Sequence, residues 1–276
     1  MDGKSIARRI SMRLKKTVEK TGDCPRLAIV MAGANRVIEN FVAQKKKLAD
    51  DIGIPVKIYS FEKTISENQL YKEVFRIQGD PENAGIIIQL PLPRRINAQR
   101  ILDAVDQKKD IDMLSSGAVG DFVTGKSEIL PPVVGAVREL LAAYRIGLKG
   151  KHIVLFGAGR LVGRPIMLWL QKEGGTFTVV QRRAQDMAHI TKNADILISG
   201  VGKPGIVTGK MIKRGVVLLD AGTSEMRGKL VGDIDIRSVT AKAAYLAPVP
   251  GGVGPLTVCM IFSNLLALAK TQNRAL

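Results

Sequence analysis

The chain has 276 residues, enough for one large or two modest domains with closed cores. Hydrophobic residues make up 46% and charged residues 24%, a globular balance that excludes disordered and fibrous classes. Lys and Arg number 42 against 25 Asp and Glu, a net charge of +17 whose field draws polyanions, but aromatics at 4% are too scarce for the stacking platforms of a single-strand nucleic-acid binder.

The opening Met1–Ser5 lacks the apolar core of a secretory signal, and no apolar run of roughly 18 residues stands out that could span a membrane, so a cytoplasmic protein is expected. Ile6, Ile10, Leu14 and Val18 recur at steps of four and predict an amphipathic helix over residues 4–20. Cys24 and Cys259 lie far apart without metal-ligand spacing and read as reduced, packed thiols. Leu27–Met31 reads as a strand, and a second helix runs from about Arg36 to Asp51, closed by Gly53. On it Phe41, Lys45, Leu48 and Ile52 share a face. A lysine there either snorkels from the rim of a core or is buried enough, with Lys46 and Lys47 adding like charge, for its pKa to fall into the range of acid–base work. Val56–Ser60 is a strand, and Ser66 with Gln69 forms a capping box for a helix that turns Leu70, Val74 and Ile77 inward. The β-branched run Ile86–Ile88 predicts a buried parallel strand ended by Pro91 and Pro93. Gln89 then stands at its carboxyl end, where open α/β sheets bind ligands.

In Lys109-Asp110-Ile111-Asp112 two aspartates share a loop without a third carboxylate, which suits a helix cap or a substrate amine better than a metal. His152 and His189 are too few for a histidine metal site, so no metal is expected. After a helix over residues 133–144, Ile153–Phe156 is a short buried strand that opens into Gly157-Ala158-Gly159-Arg160, with a helix expected from about Leu161 through Val162 and Gly163. Strand, glycine turn and helix together suit a pyrophosphate, because main-chain N–H groups and the helix N-terminus both favour anions. Gly163 falls one residue later than in the standard dinucleotide fingerprint, and a tight turn without ligand is the competing reading. The next strand, Thr176–Val180, ends at Gln181-Arg182-Arg183 instead of the carboxylate that reads the ribose of NAD. Guanidinium in that place favours a 2′-phosphate and hence NADP, unless the two arginines are solvated surface. Asp195–Ser199 and Val216–Leu219 are strands that open into the glycine turns at Gly200–Gly205 and Asp220–Gly222. A rigid run, Ala247–Thr257, then feeds an apolar helix from about Leu256 to Lys270. Strand and helix alternate twice, so the fold class is α/β with two domains.

Five motifs in this order carry a resemblance: Gln89–Pro93, Lys109–Asp112, Gly157 with Leu161–Pro165, Val201–Gly205 and Pro248–Thr257. Together they closely resemble the bifunctional methylenetetrahydrofolate dehydrogenase/methenyltetrahydrofolate cyclohydrolase family, essentially end to end. The resemblance implies a catalytic, folate-binding domain of residues 1–128 completed by 252–276, and an inserted Rossmann-like NADP-binding domain of residues 129–251, with the active site in the cleft and a homodimer formed through the cofactor domains. It implies oxidation of 5,10-methylenetetrahydrofolate with NADP and hydrolysis of the product to 10-formyltetrahydrofolate. Lys45 matches the family's catalytic lysine, Gln89 the glutamine that holds it, and Asp112 the aspartate that binds the pterin amine. Phe41 and the run Pro250, Gly251, Gly252, Val253, Gly254 and Pro255 would contact substrate. Gly157, Ala158, Gly159, Arg160, Val162, Gly163, Arg182, Arg183, Gly202 and Thr223 would contact cofactor. The excess positive charge would then steer polyglutamylated tetrahydrofolates.

The chain also departs from the family's pattern. Phe41 stands for its tyrosine, Ile38 for a serine, Met113 for a glycine and Val133 for a threonine. The usual Gly-Arg-Ser is Gly157-Ala158-Gly159, and the usual Asp-Val-Gly-Ile-Asn is Asp220-Ala-Gly-Thr-Ser224. Two further readings stay open: an NADP-dependent oxidoreductase acting on another substrate, and an inactive paralogue that binds polyanions such as RNA.

Overall fold

The computed structural model describes residues 1–21, 24–33, 36–181, 183–226 and 228–274, with the side chains of Arg36, Val37, Asn273 and Arg274 excepted. The first half runs α1 (Gly3–Thr21), β1 (Arg26–Ala32), α2 (Arg36–Ile52), β2 (Val56–Phe61), α3 (Glu67–Gln78), β3 (Asn83–Ile88), α4 (Ala98–Leu102), α5 (Ser116–Thr124) and α6 (Pro132–Ala143). The second half runs β4 (His152–Phe156), α7 (Gly163–Lys172), β5 (Thr176–Val180), α8 (Met187–Lys192), β6 (Ile196–Ser199), β7 (Val217–Asp220), β8 (Ser224–Met226), β9 (Lys229–Val231), α9 (Ile236–Val239), β10 (Tyr245–Ala247) and α10 (Val253–Arg274). Two compact α/β units result: Arg9–Pro132 with Val258–Leu276, and Met1–Arg8 with Val133–Thr257. Their three limits fall inside α1, at the first turn of α6 and inside α10, whereas the resemblance implies limits at residues 128/129 and 251/252.

In the first unit β1 lies between β2 and β3, all parallel, with Leu27 opposite both Val56 and Gly85. Both faces of β1 and β3 are covered, so both read as continuous apolar runs, while the edge strand β2 exposes Lys57, Ile58 and Ser60. Ala28, Val30, Ile86 and Ile88 pack with Leu70, Val74 and Ile77 of α3 in one core. The expected capping box is present: Ser66 Oγ accepts from Gln69 N at 3.2 Å, and Gln69 Oε1 accepts from Ser66 N at 3.1 Å.

The second unit holds a parallel sheet in the order β10-β7-β6-β4-β5. The chain steps from β4 to β5 on one side and returns to β6 on the other, so the sheet's topological switch lies beside the carboxyl end of β4, where such sheets bind ligands. The three-residue elements β8, β9 and β10 are too short to leave a periodic signal, and the sequence did not suggest them.

Three expectations need correcting. Helix α7 starts at Gly163, not near Leu161, because residues 160–162 form a turn. Cys24 is exposed, its Sγ donating to Gly53 O at 3.3 Å, and only Cys259 is packed. Within α10 the stretch Val253–Gln272, of mean hydropathy 1.6, is long and apolar enough to cross a membrane by length and composition. It serves as a core helix instead: Leu256, Phe262 and Leu265 are fully buried. In the first unit, the buried Asn264 donates through Nδ2 to Ile111 O at 2.9 Å and Leu130 O at 2.8 Å. Asn264→Leu keeps the volume but leaves two carbonyls unpaired, at about 1–3 kcal/mol each. The urea midpoint should fall clearly with the slope of the transition unchanged.

Candidate active site

Five residues of α2 are buried at heptad-like spacing: Ile38, Val42, Lys45, Ala49 and Ile52. Phe41 and Leu48, grouped with Lys45 on the sequence pattern, flank this stripe and are half-buried. Lys45 therefore sits in the middle of the buried face, only 8% exposed, and not at its rim. Its ammonium donates to Gln89 Oε1 at 2.7 Å, and Gln89 Nε2 donates onward to Leu90 O at 2.9 Å. Gln89 is fixed by the sheet itself, since its backbone N–H donates to Val30 O at 2.8 Å just beyond the end of β3.

The third member arrives on a loop clamped to the same strand. Ile86 N donates to Lys109 O at 2.8 Å, and Ile86 bridges to Asp110. Asp110 is buried and spends its carboxylate on the loop, with Oδ2 accepting from Leu114 N at 3.1 Å and Ser115 N at 2.8 Å. This folds the chain tightly enough that Met113 takes a φ of +55°, a conformation glycine adopts without strain and other residues at a cost of about 1–2 kcal/mol. Burial of the Met113 side chain against the core offsets that cost. Among the described residues Asp112, between these anchors, takes no structural hydrogen bond on its side chain and feels the charge of Lys45: burial pushes its carboxyl up to about 6, Lys45 opposes the rise and Asp110 adds to it. Burial likewise lowers the Lys45 pKa, and Asp112 opposes that fall. The expected contribution of Lys46 and Lys47 is not seen; both are exposed, and burial alone drives the shift. Lys45, Gln89 and Asp112, expected from three separate motifs, thus form one coupled group, with Phe41 on the same helix as Lys45.

In the other unit the loops after β4, β6 and β7 converge. Gly157 has φ +99°, donates to Val180 O at 2.8 Å, and a Cβ there would lie 2.9 Å from Gly200 O. A Cβ at Gly163 would overlap Gly157 O at 2.1 Å, and one at Gly200 would overlap Val162 Cγ1 at 2.2 Å. The loops after β4 and β6 are therefore brought up closely to one another and to the start of α7, leaving main chain near the space that a pyrophosphate would take. Val162, ahead of α7, makes no side-chain cap; Arg164 N donates instead to Gly159 O at 2.9 Å, tying the loop to the first turn of the helix, and Pro165 has no N–H to offer. Gly159 is exposed, Ala158 half-buried, and Gly202, at φ +74°, lies beside the carbonyl of the exposed Thr223. Arg183 is exposed, and Arg182 lies outside the described residues. This lining fits a dinucleotide. The Pro250–Pro255 turn belongs to the same unit: Gly251 has φ +106°, and Gly252 meets Gly3, where a Cβ would approach Gly252 O to 1.9 Å. Val253 is buried in the core, so there only main chain is free to meet a ligand.

The sequence did not single out the carboxylates that hold these loops. Asp233 accepts from Ser199 Oγ at 2.7 Å, Val201 N at 2.7 Å and Lys203 N at 2.8 Å. Asp220 accepts from Gly222 N at 3.0 Å, Asp233 N at 3.1 Å and Ile234 N at 2.9 Å. Burial raises the Asp220 carboxyl to about 6 despite these donors. Space for the pair comes from glycine: a Cβ at Gly222 would overlap the Asp233 carboxyl, and one at Gly232 the Asp220 carboxyl, each at 2.1 Å. The available signal was the two short runs Asp220-Ala-Gly222 and Gly232-Asp233, each setting an aspartate beside a glycine.

The coupling in the first unit has a direct test. In Lys45→Met the opposing ammonium is gone, so Asp112 should titrate above about 6 in carboxyl-resolved NMR, whereas an unmoved value would mean the two groups are not coupled.

Residues 1–112 match the family model for the tetrahydrofolate dehydrogenase/cyclohydrolase catalytic domain, and residues 131–273 match the one for the NAD(P)-binding domain of the same enzymes. Among relatives, the bifunctional protein FolD of Nautilia profundicola is 37% identical over 98% of this chain and 96% of its own. The fold is similar to the crystal structure of the FolD dehydrogenase/cyclohydrolase of Campylobacter jejuni, with a TM-score of 0.93 at 34% identity over 98% of both chains. It is equally similar to the FolD of Trypanosoma brucei complexed with NADP cofactor and inhibitor, with a TM-score of 0.94 at 32% identity over 99% of this chain and 98% of that one. The chain belongs to the tetrahydrofolate dehydrogenase/cyclohydrolase family.

Proposed function

We propose that the chain oxidises 5,10-methylenetetrahydrofolate with NADP and hydrolyses the resulting methenyl compound to 10-formyltetrahydrofolate, serving one-carbon metabolism. The observation that carries this reading is the buried Lys45 held at 2.7 Å by Gln89, with Asp112 coupled to it by charge. A lysine is a useful base near neutral pH only when its pKa falls well below the usual value of about 10.4, and burial provides that fall. In hydrolysis, neutral Lys45 takes a proton from the water as its oxygen bonds to the methenyl carbon. It returns that proton to the folate nitrogen as the carbon–nitrogen bond breaks, and the remaining hydroxyl proton leaves to solvent as the formyl group forms. Gln89 fixes the amine's direction, and Asp112, ionised above about pH 6, accepts hydrogen bonds from the pterin amine. In the oxidation step NADP would supply the hydride acceptor, and the glycine-lined loops at Gly157–Gly163 and Gly200–Gly202 would hold it.

We assign the remaining substrate contacts to Phe41 and the Pro250–Pro255 turn. Phe41 keeps a ring able to stack on the aminobenzoyl group but has no hydroxyl to offer the lysine. The charge of +17 supports capture of polyglutamylated folates by long-range steering. We place the enzyme in the cytoplasm, in line with the chain's overall character.

Lys45→Ala removes the proton-transfer group, so methenyltetrahydrofolate hydrolysis should drop by at least about 10²-fold while NADP binding, followed by calorimetry, persists. Full cyclohydrolase activity in that variant would overturn the assignment.

The same reading includes a homodimer formed through the cofactor unit. It is supported by the β8–β9 hairpin, a two-stranded ribbon of a kind only marginally stable alone, which exposes Met226 at 50% and Leu230 at 37%. Met226→Asp combined with Leu230→Asp should shift the sedimentation coefficient from dimer to monomer.

A further inference from the structure

Among the described residues, one side-chain polar atom is both closed off from solvent and without a hydrogen-bond partner: Nη1 of Arg160. A guanidinium cannot lose its charge in a protein, so a desolvated N–H of this kind is costly until an acceptor arrives. Salt bridges elsewhere pair Arg26, Arg76 and Arg100 with carboxylates, but among the described residues none is formed by Arg160.

Its place in the fold says which acceptor it awaits. Arg160 lies three residues after Gly157, whose N–H donates to Val180 O, so the loop is tied to the last residue of β5. That strand end is where a dinucleotide fold reads the ribose, through a carboxylate for a free hydroxyl or a cation for a 2′-phosphate. The carboxylate is absent, since Gln181 follows Val180, and Arg183 is exposed. The pyrophosphate needs no side chain here, because the glycines of this loop let main chain approach it closely. The arginine that the family carries in its Gly-Arg-Ser run is Ala158, which leaves Arg160 as the cation of this loop.

We propose that Arg160 is the specificity-determining residue for NADP, its guanidinium fork taking the ribose 2′-phosphate. The assignment rests on the dinucleotide-binding function proposed above. It also shifts the main burden of phosphate recognition away from Arg182 and Arg183, where the sequence pattern alone would put it. A planar fork matches a phosphate through two parallel hydrogen bonds, which an ammonium cannot reproduce.

The test is calorimetric titration of the wild-type chain, Arg160→Ala, Arg160→Lys and, as a control, Leu161→Ala at the neighbouring exposed position, each with NADP, NAD and adenosine 2′,5′-bisphosphate. Arg160→Ala should weaken NADP and the bisphosphate by about 10- to 100-fold and leave NAD within about threefold. Arg160→Lys should recover part of the loss, and Leu161→Ala none of it should suffer. An unchanged Tm and far-UV circular dichroism spectrum show that each variant is folded. Equal weakening of NADP and NAD by Arg160→Ala would overturn the proposal, because it would place the residue on the pyrophosphate or in the scaffold, and so would no weakening at all. A wild-type chain that bound neither NADP nor the bisphosphate would overturn the parent reading as well, an outcome distinct from intact wild-type binding with an indifferent Arg160→Ala.

Discussion

An ammonium in the middle of a buried helix face governs the first unit. Lys45 occupies a place in the α2 stripe where Ile38, Val42, Ala49 and Ile52 would lead one to expect a hydrocarbon. Such a group is tolerable only with a fixed acceptor and a nearby carboxylate, and the fold supplies both from β3. The strand's carboxyl end presents Gln89, and its middle, at Ile86, clamps the loop that carries Asp112. Asp110 gives up its own carboxylate to main-chain N–H groups so that its neighbour two residues on remains available. Two aspartates in one short motif are thus divided between architecture and chemistry.

The second unit is organised the other way about. The loops proposed to hold the cofactor bring up mostly main chain, and the acidic side chains are spent on holding those loops. Asp233 takes donors from Ser199, Val201 and Lys203, fixing the loop after β6, while Asp220 holds the segment that carries Asp233. A carboxylate exposed in this crevice would repel phosphate, whereas one turned inward to accept backbone N–H groups imposes shape without facing the ligand. Burial that tunes a lysine in one unit therefore serves in the other to hide negative charge.

Much of this was legible beforehand, for reasons specific to each element. The strands β1, β3, β4 and β6 are covered on both faces, so they appear as unbroken apolar runs, and the Ser66–Gln69 box marks the start of α3 without ambiguity. Lys45 and Gln89 could be singled out because a charged residue on an apolar face, or a polar one after a β-branched run, breaks a pattern. Asp112 could not be separated from Asp110 that way, since only the hydrogen bonds to Leu114 and Ser115 distinguish them. The true buried stripe of α2 was also hidden, because Phe41 and Leu48 carry as much apolar character as the residues that are buried. Asp233 left only a weak signal: two of its three donors are the backbone N–H groups of Val201 and Lys203, whose positions no side-chain pattern encodes. The start of α7 was misjudged because Leu161 and Val162 look helical, while the turn they occupy is dictated by Gly157 and Gly163 meeting face to face.

The two carboxylates and two glycines behind the β6 and β7 loops have a consequence for how this chain can change. Each glycine is the hollow that the opposite aspartate fills: Gly222 for Asp233, Gly232 for Asp220. Enlarging either glycine expels a carboxylate from donors it alone satisfies, and shrinking either aspartate opens a void lined with unpaired N–H groups. Any viable departure must alter both members of a couple at once, in opposite senses of size. The four positions accordingly behave as two linked loci, and drift along this lineage has to cross them in steps of two residues or leave them as they are.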